Sequence, residues 1–250
     1  MKTCTSNARS DTSEVDSYSL KNLSSTAAPT DSEALERWLT SDGTHSNWDG
    51  KMYVARTIYW DSDRNEFLQT GCSPNYQAGW WSLACCKHDM REARPFRAEA
   101  IDLSIPTYVF TLASLDSNVG QTLVSIAQVT KHFFNTMQEY AQFLLETRNR
   151  ALISSRLTRV RQDDGLLGWR FGDCHEDMSG EVGEPNSGHV HHVPEWWKAD
   201  VDGKHLILVS DRFLLWPEPV FVAAKTQKQS RYGKNIASDN LHGLLRSRSE

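Results

Sequence analysis

Apolar positions along this chain recur mostly at strand-like intervals. Residues 51–60 carry Tyr53, Val54, Ile58 and Tyr59, β-branched and aromatic side chains suited to a pleated, half-buried surface. The run 108–112, entered through Pro106, and the run 122–130, with Leu123, Val124, Ile126 and Val129, have the same character. Residues 204–216 are the most apolar: His205-Leu206-Ile207-Leu208-Val209, a polar Ser210-Asp211 break, then Phe213-Leu214-Leu215-Trp216, stopped by Pro217 and Pro219. The period changes once. Thr136 with Glu139 three positions later is a capping box, and Met137, Tyr140, Ala141, Leu144 and Leu145 then recur at helical spacing. Residues 81–86 read as a short strand or a first helical turn, and 152–160 suits either period. Residues 165–172 and 180–194 read as loops. Together these elements predict one α+β domain over 47–224, mostly antiparallel strands or a small β-barrel with one main helix.

The flanks differ. Residues 1–46 are rich in Ser and Thr and poor in large apolar residues, which predicts a flexible tail. Within it, Thr30 or Asp31 caps a short helix carrying Leu35, Trp38 and Leu39 that docks on the domain. Residues 225–250 carry a net charge of +4 and read as a basic, polar, flexible C-terminal tail. The whole chain of 250 residues is acidic by five charges, which argues against a generic duplex-DNA coat. Five cysteines, without regular spacing, argue against a secreted disulfide framework and for a reducing, intracellular setting. The sequence has no apolar run long enough to span a bilayer, and no membrane partner is expected.

Candidate chemistry concentrates in residues 71–91, GCSPNYQAGWWSLACCKHDMR. Cys85 or Cys86 beside Lys87 and His88 could supply a thiol nucleophile of lowered pKa. Cys72, Cys85, Cys86, Cys174, His175, His189, His191 and His192 are zinc-type ligands, but no Cys-x-x-Cys pair organises them, so no metal is assigned. A thiol transferase, or a metal-assisted hydrolase built on Cys174, His175 and His191, is the enzymatic alternative. Buried, inert thiols are the plainer reading. Nine tryptophans are many for this length, and Trp80, Trp81, Trp169, Trp196, Trp197 and Trp216 fall near the same segments. Such rings can line a pocket for a planar base or simply fill the core. No Walker loop, dinucleotide glycine fingerprint or His-Glu-x-x-His helix is present, and no cofactor is expected.

Several blocks in order then resemble a known family. Ser73-Pro74-Asn75 is followed by Ser82-Leu83-Ala84-Cys85-Cys86-Lys87 and Arg91. Residues 122–129 lead to Phe134, Met137, Glu139 and Tyr140. Arg170-Phe171-Gly172-Asp173-Cys174-His175 and Leu206-Ile207-Leu208-Val209-Ser210-Asp211-Arg212-Phe213 complete the set. Over residues 51–222 the chain resembles a divergent member of the nucleotide modification associated domain family, second type. The resemblance implies a nucleotide-associated domain, tied to systems that modify DNA bases, with a small base-binding barrel. Its candidate ligand-binding residues here are Asn75, Trp80, Trp81, Lys87, Arg91, Asp173, His175, Ser210 and Asp211. Aromatic rings would stack a base, Lys87 and Arg91 would neutralise a phosphate, and Asp173, Ser210 and Asp211 would read an edge. Nucleotide or nucleic acid is the expected partner. A degenerate interaction domain that has lost its ligand is the remaining alternative.

Overall fold

The computed structural model describes residues 17–23, 28–41, 47–70, 74–84, 87–92, 105–129, 133–161, 167–171, 205–228 and 233–248. In chain order the strands and helices are β1 (Ser17–Ser19), α1 (Ser32–Leu39), β2 (Asp49–Val54), β3 (Ile58–Asp61), β4 (Glu66–Thr70), β5 (Trp81–Leu83), α2 (His88–Glu92), β6 (Thr107–Leu112), β7 (Leu123–Gln128), β8 (Phe133–Phe134), α3 (Met137–Glu146), α4 (Arg150–Arg156), β9 (Leu157–Arg161), β10 (Leu167–Phe171), β11 (Ile207–Ser210), β12 (Phe213–Leu215), β13 (Phe221–Ala223), β14 (Lys234–Ala237) and β15 (Leu245–Ser247).

A five-stranded sheet, ordered β12-β7-β6-β2-β14, forms the centre. Its β2–β6 ladder is parallel and its other ladders are antiparallel. Two three-stranded sheets, β1-β4-β3 and β5-β11-β8, lie beside it, with smaller pairs β9–β10 and β13–β15. This is the α+β architecture of mainly antiparallel strands that the periodicity predicts. Among the described residues the helices are few, and α3 is the longest of them.

Both faces of the central sheet are covered, which is why its strands read as nearly continuous apolar runs. Val109, Ala127, Phe213 and Leu215 face a core shared with Ile58, Phe67, Tyr76, Trp81, Leu83 and Leu208. Tyr108, Phe110, Ile126, Leu214 and Trp216 face a second core closed by Leu35 and Leu39 of α1. A third cluster joins Tyr140, Ala141 and Leu144 of α3 and Leu152 of α4 to Ile207 and Val209, on the far side of β11.

The short N-terminal helix forms as expected. The Asp31 side chain accepts from Ala34 N at 2.7 Å, and Arg212 fastens the far end by donating to Trp38 O at 2.9 Å and Ser41 Oγ at 2.8 Å. The capping box is also present: Glu139 N donates to Thr136 Oγ1 at 3.1 Å.

Several segments depart from expectation. The run 51–60 is two strands, because the chain turns at Arg56–Thr57 between β2 and β3. Residues 152–160 are both helix and strand, with α4 passing directly into β9. Residues 165–172, read as a loop, contain β10, whose partner β9 supplies the ladder hydrogen bonds. The basic C-terminal stretch is not a flexible flank in its described part. β14 pairs with β2 and β15 with β13, while Ile236, Leu241, Leu244 and Leu245 fill the second core. On β15 the exposed Arg246 alternates with the buried Leu245 and Ser247, so the charged composition hid an apolar contribution. The N-terminal flank likewise contributes β1, paired with β4.

Candidate functional site

The described residues among those singled out in the sequence lie around the β5–β11 pair, but not in one cavity. Ser210 stands directly opposite Trp81 across this ladder, so the first and last resemblance blocks do meet. Trp81 is fully buried in the first core. The Ser210 hydroxyl accepts from Arg212 N at 3.0 Å and donates to Arg212 O at 2.7 Å. That local turn moves the chain from β11 in one sheet to β12 in the other. Asp211 is exposed at its tip.

Asn75 belongs to a buried polar knot. Its backbone bridges Ser82, with Asn75 N to Ser82 O and Ser82 N to Asn75 O both at 2.9 Å. Its Oδ1 accepts from Gln77 N at 2.9 Å and from Arg156 Nη1 at 2.6 Å. Arg156 is fully buried at the C-terminus of α4, and its Nη2 also donates to Trp80 O at 2.8 Å and Gln77 O at 3.3 Å. The loop it clasps contains two successive left-handed residues, Ala78 at φ 59° and Gly79 at φ 73°. Trp80 leaves this loop edge-on against Phe143 of α3, with ring centroids 5.6 Å apart.

Lys87 lies on the other side of the same small sheet. Trp80 packs with the α3 cluster that includes Ile207 and Val209, whereas Trp81, Leu83 and Leu208 point into the first core. From a left-handed backbone (φ 62°), Lys87 carries its ammonium over the Tyr53 ring, 5.5 Å from the centroid. A non-glycine residue held in this conformation stores backbone strain of the kind found at binding sites. In the following helix, Arg91 is fully buried and its Nη1 donates to Leu206 O at 2.7 Å, while Glu92 Oε1 lies 2.8 Å from His205 Nε2. Both contacts tie α2 to the start of β11. Arg91 is therefore an internal clamp in the described structure, whereas Lys87 is half-buried.

Beneath Lys87 the core contains a row of hydroxyls. Tyr53, Thr111 and Ser125 are successive cross-strand neighbours on β2, β6 and β7. Ser125 reaches this face through a β-bulge: Leu112 pairs with Leu123 but Thr111 with Ser125, leaving Val124 as the extra residue. Ser125 Oγ and Tyr76 Oη are 3.0 Å apart. Burial pushes the Tyr76 phenol well above its ordinary pKa, with the Ser125 and Thr111 hydroxyls partly offsetting this, so the phenol stays protonated. Lys51, two positions before Tyr53, is also buried; its Nζ donates to Asn235 Oδ1, and burial lowers its pKa.

Lys51, Tyr76, Ser125 and Arg156 had no place among the sequence candidates. Lys51 alone left a signal, a charge inside a strand-forming run. Arg156 stood within 152–160, a run whose period suited either helix or strand. Asp173, His175, Cys72, Cys85, Cys86, Cys174, His189, His191 and His192 lie outside the described residues, as does the His88 side chain. Among the described residues no three of His, Cys, Asp and Glu converge on a metal-sized site. No helix among them is long and apolar enough to cross a membrane. Comparison with protein-family models, curated proteins and solved structures finds no match to this chain.

Proposed function

We propose that this chain is an intracellular nucleotide-associated domain that recognises, or helps process, a modified base or nucleotide. The observation that carries this reading is the Lys87–Tyr53 pair, a cation held over an aromatic ring of the first core from a strained backbone. The Lys87 ammonium offers a phosphate one contact, while the buried Tyr53 ring beneath it holds the ammonium from the core side. The resemblance of the Pro74-Asn75, Lys87, Glu139-Tyr140 and Ser210-Asp211 blocks to the nucleotide modification associated domain family, second type, supports the same ligand class.

The geometry narrows the contacts. Trp80 and Lys87 are on opposite faces of the β5-β11-β8 sheet, so one mononucleotide does not bridge them. The phosphate contact goes to Lys87, and Tyr53 supports it from the core. Trp81 and Arg91 support the site from inside.

The test is a titration of the full chain with nucleotides and with oligonucleotides bearing modified bases, read by intrinsic fluorescence and calorimetry. Saturable binding that weakens in Lys87→Met is the expected result. No binding across the panel would reject the reading.

A further inference from the structure

Side chains around the second core hold the main chain of residues 29–41 as a groove holds a peptide. Trp216 Nε1 donates to Pro29 O at 2.8 Å, and Ser247 Oγ donates to Thr30 O at 3.3 Å. At the other end Tyr108 Oη donates to Leu39 O at 2.8 Å and Arg212 Nη2 to Trp38 O at 2.9 Å. The donors come from β6, from β15 and from the chain on either side of β12. All four acceptors are backbone carbonyls, which every residue type supplies. The apolar anchors are Leu35 and Leu39, buried four positions apart, with Trp38 packed beside them under the Arg212 guanidinium, 5.0 Å from its ring centroid. Main-chain holding with apolar anchors at i and i+4 is the helix-in-groove mode of peptide recognition.

The hold on α1 is light. The helix has eight residues, fewer than the roughly 12–15 that an isolated helix needs in water. Only Leu35 and Leu39 of its side chains are buried, while Glu33 and Arg37 are exposed. A hollow of about 570 Å³ lies between α1 and residues 238–241, so this flank of the helix lacks close-packed neighbours. The strand β6, by contrast, is buried along its whole length. Segments with few buried contacts open locally while the sheet core stays closed.

The geometry points to a helix-docking groove on the second core, with α1 as its internal occupant and an amphipathic helix of a partner protein as the ligand that displaces it. The partner helix presents large apolar residues at i and i+4 to the second core. Its last carbonyls take the Tyr108 and Arg212 donors in place of those of Leu39 and Trp38. The hollow beside α1 accommodates a side chain larger than leucine. This groove lies on the opposite face of the central sheet from Tyr53, the ring beneath Lys87, so it is separate from the proposed nucleotide contact.

A fluorescein-labelled peptide of residues 28–41, added to the full chain and read by anisotropy, tests this. The wild type should bind it weakly, because its own segment holds the groove most of the time. Leu39→Ala in the chain should raise the affinity at least about tenfold, by raising the population of open groove. The same substitution in the peptide should abolish binding, and Tyr108→Phe added to the Leu39→Ala chain should weaken it. An affinity unchanged by Leu39→Ala in the chain, or kept by the substituted peptide, would overturn the groove. Absence of binding to either chain would do the same. If the Leu39→Ala chain gives no thermal transition, hydrogen exchange on the wild type decides. The α1 amides should then be protected at least about a hundredfold less than those of β6. Equal protection would mean that α1 opens only with the whole fold, and would overturn the exchange of occupants.

Discussion

Arg156 Nη1 lies 2.6 Å from Asn75 Oδ1, joining the end of α4 to a residue 81 positions earlier. Both side chains are buried, and the same guanidinium also holds the carbonyls of Gln77 and Trp80. Charge-assisted bonds to several acceptors fix the loop in its left-handed conformation. Arg156→Met should therefore destabilise the chain by about 3 kcal/mol or more, since it leaves several buried acceptors unpaired. Urea denaturation checks this. A change below about 1 kcal/mol would show that the loop holds itself, because a single ordinary hydrogen bond already contributes about that much.

The Tyr76–Ser125 hydroxyl pair is expected to behave as a coupled unit. Tyr76→Phe leaves the Ser125 hydroxyl buried, and Ser125→Ala does the same to the phenol, each costing about 1–2 kcal/mol. The double variant should cost less than the sum, because it leaves neither group stranded. A double-mutant cycle by denaturant titration reads the coupling, and strict additivity would mean the two hydroxyls do not share a bond.

Removal of residues 225–250 should abolish cooperative folding, not trim a solvated end. The deletion strips β14 from β2 and β15 from β13, and takes Ile236, Leu241, Leu244 and Leu245 out of the second core. Loss of the near-ultraviolet circular-dichroism signal and of a sharp thermal transition is the expected outcome. A truncated chain melting at the full-length temperature would contradict the pairing.

Lys51 makes a signed prediction for alkaline stability. Its folded pKa lies below the ordinary 10.5, so between the two values the unfolded state binds more protons than the native state. Stability contributed by this residue is then lowest below the folded pKa and rises as pH climbs through it. Tyr76 acts in the opposite sense only above its ordinary value of 10.0, where the unfolded phenol ionises and the buried one does not. Denaturant titrations at stepped pH up to 10 should show the wild type gaining on Lys51→Met. A constant difference between the two would mean the Lys51 ammonium is not desolvated.

Local pattern determined much of this protein. The Thr136–Glu139 box and its apolar period specify α3, Asp31 specifies the start of α1, and the β-branched runs specify β6, β7 and β11, because capping and burial on a fixed period are properties of neighbouring residues. Only tertiary structure decided the rest. Arg91 and Arg156 look like surface cations in sequence, yet carbonyls from distant segments make their burial affordable. Trp80 and Lys87 look like neighbours, yet the sheet between them sends one toward α3 and the other toward Tyr53. The stretch 71–91 remains central, but its described part works mainly as scaffold. Its Lys87 reaches the Tyr53 ring of another strand, a contact that no local pattern encodes.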